Sequence, residues 1–177
     1  MLTRIKIRQE NSADENKVFE LIKNTFAHAE HTDGDEHNLV NRLRESEGFI
    51  PELSLVAEFE NEIIGHILFT KVKVGETTQL ALAPLTVAEK YQRQGIGGML
   101  IKVGHRIASS LGYEYSVVLG HPSYYPRFGY VHAKTFGIQS PFDVPDECFM
   151  AINLQDKSTN LNAIVEYPKE FFDTGKI

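Results

Sequence analysis

Few cysteines and no long apolar run characterise this sequence. Cys148 is its only cysteine, so no disulfide can form within the chain, a composition typical of proteins in a reducing compartment. No apolar stretch approaches the roughly 20 residues that a membrane-spanning helix needs. The first residues alternate like a strand and lack the apolar core of a signal peptide. We therefore expect a cytoplasmic protein without a membrane partner.

An excess of positive charge is also lacking. The 177 residues contain 18 lysines and arginines against 24 aspartates and glutamates, a formal net charge of -6. Proteins that bind nucleic acid usually carry a basic patch, and here the basic residues are scattered, so no nucleic-acid partner is expected. A hydrophobic content of 42% and a charged content of 24% are ordinary for a soluble globular protein. The length predicts a single domain over residues 1–177.

The spacing of apolar residues predicts a mixed α/β domain. The predicted elements, in chain order, are a strand at 4–8, helices around Ile22 and Val40, strands at 53–59, 63–72 and 78–87, a helix at 97–111, a strand at 113–119, a short helical turn at 123–128 and strands at 149–154 and 163–167. Ser12 and Glu15 have the spacing of a capping box before the first helix, and Gly112 is expected to end the long helix. The last two strands are expected to pair antiparallel. This order is typical of a mixed sheet with helices on its faces.

The glycine-rich segment 91–99 is the most informative feature. An apolar, strand-like run precedes it at 80–87, and apolar residues at helical spacing follow it. A helix N-terminus presents unpaired N–H groups and the positive end of the peptide dipole, so anions bind there readily. The three glycines of the segment lack the Cβ atoms that would hold a phosphate away from the main chain. The segment therefore predicts a pyrophosphate site at the main-chain N–H groups of residues 93–98.

Two other phosphate-binding motifs do not fit this segment. A dinucleotide-binding loop needs a third glycine at the position of Leu100 and an acidic residue at the end of the next strand, about 20 residues on. Glu114 is close in number but lies near the start of its strand. A P-loop needs Gly-Lys-Ser or Gly-Lys-Thr, which the sequence lacks. What remains is Gln92-x-x-Gly95-x-Gly97 after a strand that contains Pro84.

This pattern resembles the acyl-CoA signature of the GCN5-related N-acetyltransferases, the GNAT family. The segment 121–130 is similar to the short helix and strand that close the site in that family, where a tyrosine lies four residues before the glycine of a Gly-aromatic pair. Tyr125 and Gly129 have that spacing. Together with 65–67 and 82–85, these motifs resemble the small bacterial YhbS-like branch. The resemblance covers nearly the whole chain.

The resemblance implies an α/β fold with a GNAT-type mixed, mostly antiparallel sheet that is splayed between its central strands and carries helices on both faces. It also implies direct transfer of an acetyl group from acetyl-CoA to the amine of a small-molecule acceptor, without a covalent enzyme intermediate. The implied CoA-binding residues are Leu85, Thr86, Val87, Gln92, Arg93, Gln94, Gly95, Ile96, Gly97 and Gly98. Tyr125 is the expected general acid for the departing thiolate, and Tyr124 is an expected pocket wall.

Each assignment has a structural alternative. The main chain of 85–87 would bind the pantetheine arm in the gap between the splayed strands, and Pro84 is consistent with that gap, but it could also just bend a strand beside a bulge. Arg93 could add charge at the pyrophosphate or stay solvated. Tyr125 could pack its ring without a role in proton transfer. Cys148 is expected to lie in the core, and His66 and His105 are expected to be partly buried structural residues.

No general base and no metal site can be read from the sequence. The strand at 79–87 carries no carboxylate, although some family members have a glutamate there. Four residues are candidate bases by expected position alone: His28, Glu30, His31 and His121. His28, His31 and His37 lie in a polar connection without the carboxylate–histidine spacing of a helical metal site, so no metal cofactor is expected.

Two other functions stay open. One is a non-catalytic acyl-CoA-binding sensor or interaction module. The other is a protein acetyltransferase, which would need an open groove, whereas the polar segments 28–35 and 139–146 are expected to wall the cleft. Dimers are common in the family, so a homodimer is compatible with the resemblance, although no apolar stripe in the sequence demands one. The acceptor has no readable code, since fold does not imply substrate.

Overall fold

A computed structural model describes residues 2–27 and 34–172 of the protein. Its helices are α1 (Glu15–Phe26), α2 (Glu36–Arg44) and α3 (Ile96–Ser110). Its strands are β1 (Lys6–Gln9), β2 (Phe49–Phe59), β3 (Glu62–Val74), β4 (Thr77–Val87), β5 (Tyr115–Leu119), β6 (Val131–His132), β7 (Ile138–Gln139), β8 (Phe149–Asn153) and β9 (Ala163–Glu166). The short helical turn expected near 123–128 is a 3-10 turn at Tyr125–Phe128. Within the described residues, no helix is both long enough and apolar enough to cross a bilayer.

The strands form one mixed sheet in the order β1-β2-β3-β4-β5-β8-β6, with β9 pairing to β3 and β7. Pairing is antiparallel along this path except between β4 and β5, which run parallel. That parallel ladder has only two registered pairs, Leu80 with Ser116 and Ala81 with Val117. Beyond these two pairs, β4 continues to Val87 without further registered pairing to β5. The predicted splay between central strands is thereby confirmed.

A bulge lies in β4 at the predicted position. Ile67 pairs with Leu85 and Phe69 pairs with Leu82, so two steps along β3 match three steps along β4. The extra residue falls in the segment that contains Pro84, which has no N–H to donate to a ladder. Both consequences expected of this proline, a bulge and a neighbouring end of pairing, occur in the same strand.

Helices cover both faces of the sheet, as predicted. Leu55 of β2 shares a buried cluster with Leu100 of α3. Val56, the next residue, packs on the opposite face with Val18 of α1 and Leu43 of α2. Such alternation is the period-two pattern of a strand that is buried on both faces. The predicted C-terminal glycine of α3 is also confirmed, since Gly112 has a left-handed backbone (φ 92°) and its amide reaches the Ser109 carbonyl at 3.0 Å.

The predicted capping box at Ser12 and Glu15 is wrong by one residue. The Asn11 side chain accepts a hydrogen bond from the Ala13 amide at 2.9 Å, and the Asp14 carboxylate accepts one from the Asn11 amide at 2.8 Å. This box caps a 3-10 turn at Ser12–Asp14 that precedes α1. The Arg8 guanidinium, hydrogen-bonded to Asp14, holds the pKa of that carboxyl below its usual range, so the box ties α1 to β1.

The predicted pairing of the last two strands is also wrong. β8 pairs with β5 and β6, whereas β9 pairs with β3 and β7. The segment between them crosses the sheet instead of forming a hairpin. Cys148, predicted to lie in the core, is half-buried.

Candidate active site

The N-terminus of α3 has hydrogen-bond donors to spare. Gly95 is its N-cap and has a left-handed backbone (φ 89°), which glycine adopts without strain. The first helical hydrogen bond runs from the Met99 amide to the Gly95 carbonyl at 3.1 Å. Among the described residues no acceptor serves the amides of Gly95, Ile96, Gly97 and Gly98. Four N–H groups and the positive end of the helix dipole are therefore available to an anion.

Two glycines let aromatic side chains reach the start of α3. A Cβ at Gly97 would lie 2.5 Å from the Tyr124 hydroxyl oxygen, and a Cβ at Gly98 would lie 2.8 Å from a ring carbon of Phe128. Real Cβ atoms essentially never approach another atom so closely. The absence of side chains at these positions allows the 3-10 turn at Tyr125–Phe128 and the residue before it to pack directly on the helix.

A cavity of about 750 Å³ lies between β4, the first turns of α3 and this 3-10 turn. Its lining residues are Leu85, Val87, Tyr91, Gln92, Arg93, Gly95, Ile96, Gly97, Gly98, Met99, Lys102, Tyr124, Arg127 and Phe128. The α3 amides are at one part of this space. Leu85 and Val87, which belong to the stretch of β4 beyond its pairing with β5, are at another. The cavity thus joins an anion site to the gap in the sheet.

Eight of the ten CoA-binding residues predicted from the sequence line this cavity. The other two are Thr86 and Gln94. Thr86 is 1% exposed and pairs with His66, so its side chain points to the opposite face while its main chain lies between two lining residues. The Gln94 side chain is exposed and donates to the Lys90 carbonyl at 3.3 Å.

The side chain of Gln92 holds the end of β4. Its Nε2 donates to the Val87 carbonyl at 2.9 Å, so that carbonyl already has one partner. Arg93, the next residue, has a left-handed backbone (φ 63°), which is strained for a residue with a side chain. The glutamine therefore positions the strand end beside the loop, and the strained arginine places its side chain at the cavity.

Tyr124 and Tyr125 occupy different places. Tyr124 lines the cavity, as expected for a pocket wall, with its hydroxyl against Gly97. Tyr125 does not belong to the lining; its ring lies beside Gly120, directly after β5, where it fills the space that a Cβ would need. The Tyr125 ring also meets the rings of Tyr124 and Tyr130, with centroids 5.0 and 5.7 Å away. Tyr125 thus lies on the β5 side of the gap.

Burial decides the protonation state of Tyr125. It raises the pKa of the phenol well above its usual value of about 10, and neighbouring Tyr124 adds to the rise. The hydroxyl therefore carries its proton throughout the neutral range. Within the described part of the chain, this hydroxyl forms no hydrogen bond with another residue.

Of the four candidate bases, His121 alone lies among the described residues. His28, Glu30 and His31 lie outside the described residues. His121 is exposed, and its Nδ1 lies 2.8 Å from the Ser123 hydroxyl and 3.2 Å from the Ser123 amide. His37 lies in α2, where its ring meets Phe19 edge-on at 4.9 Å. Among the described residues, no group of three or more histidine, cysteine or acidic side chains is placed to hold a metal ion.

Comparison with known proteins bears on this geometry. Residues 16–130 match the model of the Acetyltransferase (GNAT) family. The chain belongs to the GNAT family. It is therefore an acyltransferase of the GNAT type, and the family resemblance inferred from 92–97 and 121–130 is confirmed.

Two N-acetyltransferases from Escherichia coli K12 are similar to this chain in sequence. The uncharacterized N-acetyltransferase YjhQ is 39% identical over 127 residues, which cover 67% of this chain and 70% of YjhQ. The uncharacterized N-acetyltransferase YhbS is 36% identical over 140 residues, which cover 77% of this chain and 83% of YhbS. This chain is thus similar to the branch that its motifs indicated.

Crystal structures of GNAT proteins give the same fold. The Escherichia coli YhbS structure in complex with CoA has a TM-score of 0.84 at 29% identity and covers 96% of this chain and 92% of its own. A GNAT acetyltransferase from Brucella melitensis in complex with acetyl-CoA has a TM-score of 0.78 at 27% identity. The match covers 94% of this chain and 97% of the Brucella chain. Both neighbours hold CoA or its acetyl ester, in agreement with the predicted donor.

Sequence reasoning did not assign several of the residues that line this cavity. These are Tyr91, Met99, Lys102, Arg127 and Phe128. A signal existed for each of them. Tyr91 and Met99 are the ends of the glycine-rich segment 91–99, and Arg127 and Phe128 lie within the motif 121–130. Lys102 lies four residues after Gly98 and so shares its helix face.

Proposed function

We propose that this chain transfers the acetyl group of acetyl-CoA directly to the amine of a small cytoplasmic molecule. The observation that carries the proposal is one cavity that contains both the free amides of Gly95–Gly98 and the stretch of β4 at 85–87, which pairs with β3 but has no registered partner in β5. The amides fit the diphosphate of CoA. The edge of this stretch that faces β5 fits the amide groups of the pantetheine arm, which would lie in the gap as an added strand.

The transfer requires protons to move at the amine nitrogen, at the CoA sulfur and at Tyr125. The neutral amine attacks the thioester carbonyl, forming a C–N bond and a tetrahedral intermediate whose oxyanion a main-chain N–H of 85–87 would stabilise. Collapse breaks the C–S bond, the electron pair stays on sulfur, and the Tyr125 hydroxyl donates a proton to the thiolate. The amine, with a pKa of about 10, loses its excess proton to solvent before attack. After attack the nitrogen carries one proton more than the amide product keeps. Loss of this proton to solvent completes the amide, and the tyrosinate takes up a proton from solvent to return to its neutral form.

Tyr125→Phe is expected to lower kcat by about a hundredfold, because general acid catalysis contributes about 10²–10⁴ in rate, while the Kd for CoA stays unchanged. The measurement is steady-state release of the CoA thiol with acetyl-CoA and a panel of amines that includes amino acids, polyamines, aminoglycosides and nucleotide sugars. A binding titration with CoA accompanies it.

Tyr124→Phe is the matched control, because Tyr124 is the adjacent phenol and lines the cavity. We expect this variant to change the Kd for CoA more than kcat. If Tyr124→Phe abolishes turnover and Tyr125→Phe does not, the general acid has been assigned to the wrong tyrosine. Tight CoA binding with no turnover of any amine, unchanged by either substitution, would contradict catalysis and favour a non-catalytic acyl-CoA sensor.

Arg93→Gly is expected to separate stability from binding. Glycine adopts a left-handed backbone without strain, so the free energy of unfolding should stay within about 1 kcal/mol of the parent chain, on the stabilising side. Affinity for CoA should fall severalfold, because the guanidinium beside the diphosphate is lost. Urea unfolding and calorimetric titration measure the two quantities. A loss of stability together with unchanged affinity would show that Arg93 serves the fold and not the ligand.

A further inference from the structure

We propose that Lys102 and Arg127 bind the 3′-phosphate of CoA and make the chain select CoA over 3′-dephospho-CoA. This inference rests on the proposed function, since it assumes that the cavity holds CoA. It goes further by assigning the phosphate of the ligand that lies outside the diphosphate to two residues that have no part in the chemical step.

The charge of the cavity is opposite to that of the protein. Its lining contains three cationic side chains, Arg93, Lys102 and Arg127, and no carboxylate, in a chain whose formal net charge is -6. Elsewhere, arginines such as Arg8 and Arg44 form ion pairs with carboxylates. Among the described residues no such partner is present for Lys102 or Arg127. A local excess of unpaired cations favours a ligand with several negative charges.

The diphosphate does not account for all three cations. The free amides of Gly95–Gly98 and the neighbouring Arg93 already supply donors and charge at the helix start. Lys102 lies four residues beyond Gly98 on the same helix face, which puts it about 6 Å further along α3. A second anionic group of the ligand, set apart from the diphosphate, fits this distance. In CoA that group is the phosphate on the 3′-oxygen of the ribose that carries the diphosphate.

Arg127 borders the same part of the cavity. Its guanidinium carbon lies 4.8 Å from the ring centroid of Tyr124 and 5.5 Å from that of Phe128. Phe128 in turn packs at Gly98, one turn before Lys102. Stacking on two rings restricts an otherwise flexible arginine, so less entropy is lost when its planar fork binds a phosphate. The lysine from the helix and the arginine from the 3-10 turn thus face one ligand group from two elements.

The test compares CoA with 3′-dephospho-CoA, which differ by this phosphate alone. For the unaltered chain, calorimetric titration at low salt should give about tenfold tighter binding of CoA, the scale of a charge-assisted contact at a partly exposed site. In the double variant Lys102→Ala/Arg127→Ala the preference should fall to about twofold or less, mainly because affinity for CoA drops. Raised salt should shrink the preference of the unaltered chain, because exposed charges are screened.

Lys134→Ala is the matched control, since it removes one positive charge from an exposed residue that is paired with Asp146 and lies outside the cavity lining. It should leave the preference unchanged. Arg127→Lys should retain part of it, because the charge remains but the planar fork is lost. Equal affinities of the unaltered chain for both ligands, or a preference that survives in the double variant, would overturn this inference and leave the proposed function intact. Failure of the unaltered chain to bind CoA at all would overturn both.

Discussion

The free energy of unfolding is expected to fall by about 4 kcal/mol between about pH 7.5 and about pH 5, because two histidines cannot take up a proton in the folded chain. His66 is fully buried, and burial, with Arg44 adding to the effect and Glu10 opposing it, lowers its pKa to about 4. Burial likewise lowers the pKa of His105 to about 4. An unfolded chain has its histidines near a pKa of about 6.5.

The sign of this effect follows from proton uptake. As the pH falls below about 6.5, the unfolded chain binds a proton at each histidine while the folded chain does not, so protonation stabilises the unfolded state. The loss begins near the unfolded pKa and is complete near the folded pKa of about 4, with about 2 kcal/mol from each histidine already lost at about pH 5. Carboxylates with lowered pKa values, such as Asp14, lose their contribution only at lower pH and do not confuse the measurement.

Urea unfolding of the unaltered chain at the two pH values measures the loss. His66→Gln and His105→Gln replace each ring by a side chain that keeps a polar donor and does not titrate. Each variant should retain about half of the pH dependence, and the double variant little of it. If both single variants keep the whole dependence, other groups cause it and these histidines are accessible to protons in the folded state.

Local signals in the sequence predicted the elements around the site well. Gly112 ends α3 as predicted, because the residue after a helix often needs a left-handed backbone and glycine supplies it without strain. The helix was predicted at 97–111 and is observed at Ile96–Ser110. Pro84 indicated a bulge because it lacks a donor. Each of these requirements is met within a few residues of chain, so the sequence alone contains the information.

Partners distant in the chain could not be predicted in the same way. β8 and β9 each read as a strand, but strand propensity says nothing about which neighbour a strand will choose, and the expected hairpin between them was wrong. The strands β6 and β7 have two residues each, too few to show an alternating pattern. Tyr124 lines the cavity and Tyr125 does not. This difference depends on how the 3-10 turn packs against Gly97 and Gly120, which no spacing in the sequence specifies.

The site was predicted best where main-chain geometry determines it. The period of two in a strand explains why Leu85 and Val87 line the cavity while Thr86 turns away, and this could have been read from the sequence once β4 was placed. The charged side chains of the cavity were harder to predict from the sequence. Lys102 and Arg127 are scattered in sequence and meet only in the fold, so composition alone pointed to solvated residues.

Arg44→Met is expected to lower the free energy of unfolding by about 3–5 kcal/mol, because it leaves a carboxylate buried without its counter-charge. The guanidinium of Arg44 donates to both oxygens of Glu10, at 3.0 and 2.7 Å. The two side chains are 7% and 5% exposed, so solvent cannot replace the lost partner. Methionine keeps the apolar stem of the arginine, which restricts the change to the charge. Urea unfolding at neutral pH measures the effect.

The exposed pair of Arg4 and Glu60 provides the control, since their side chains are 74% and 67% exposed and Arg4→Met should change stability little. The double variant Arg44→Met/Glu10→Gln should recover most of the loss, because neither buried charge remains. No recovery would mean that the packing of the arginine stem, and not the buried charge, supports this corner of the fold.

The histidine and the ion pair are coupled, which gives the substitution a pH signature. Arg44 lowers the pKa of His66 and Glu10 raises it, and the His66 Nε2 lies 3.7 Å from the Glu10 carboxylate. Without Arg44, the pKa of His66 should rise, so that the ring can take up a proton and become the counter-ion of Glu10. The deficit of Arg44→Met should therefore be smaller at about pH 5 than at about pH 7.5, whereas two independent defects would give an equal deficit at both pH values. An equal deficit at both pH values would show that His66 and Glu10 do not share a proton-linked contact.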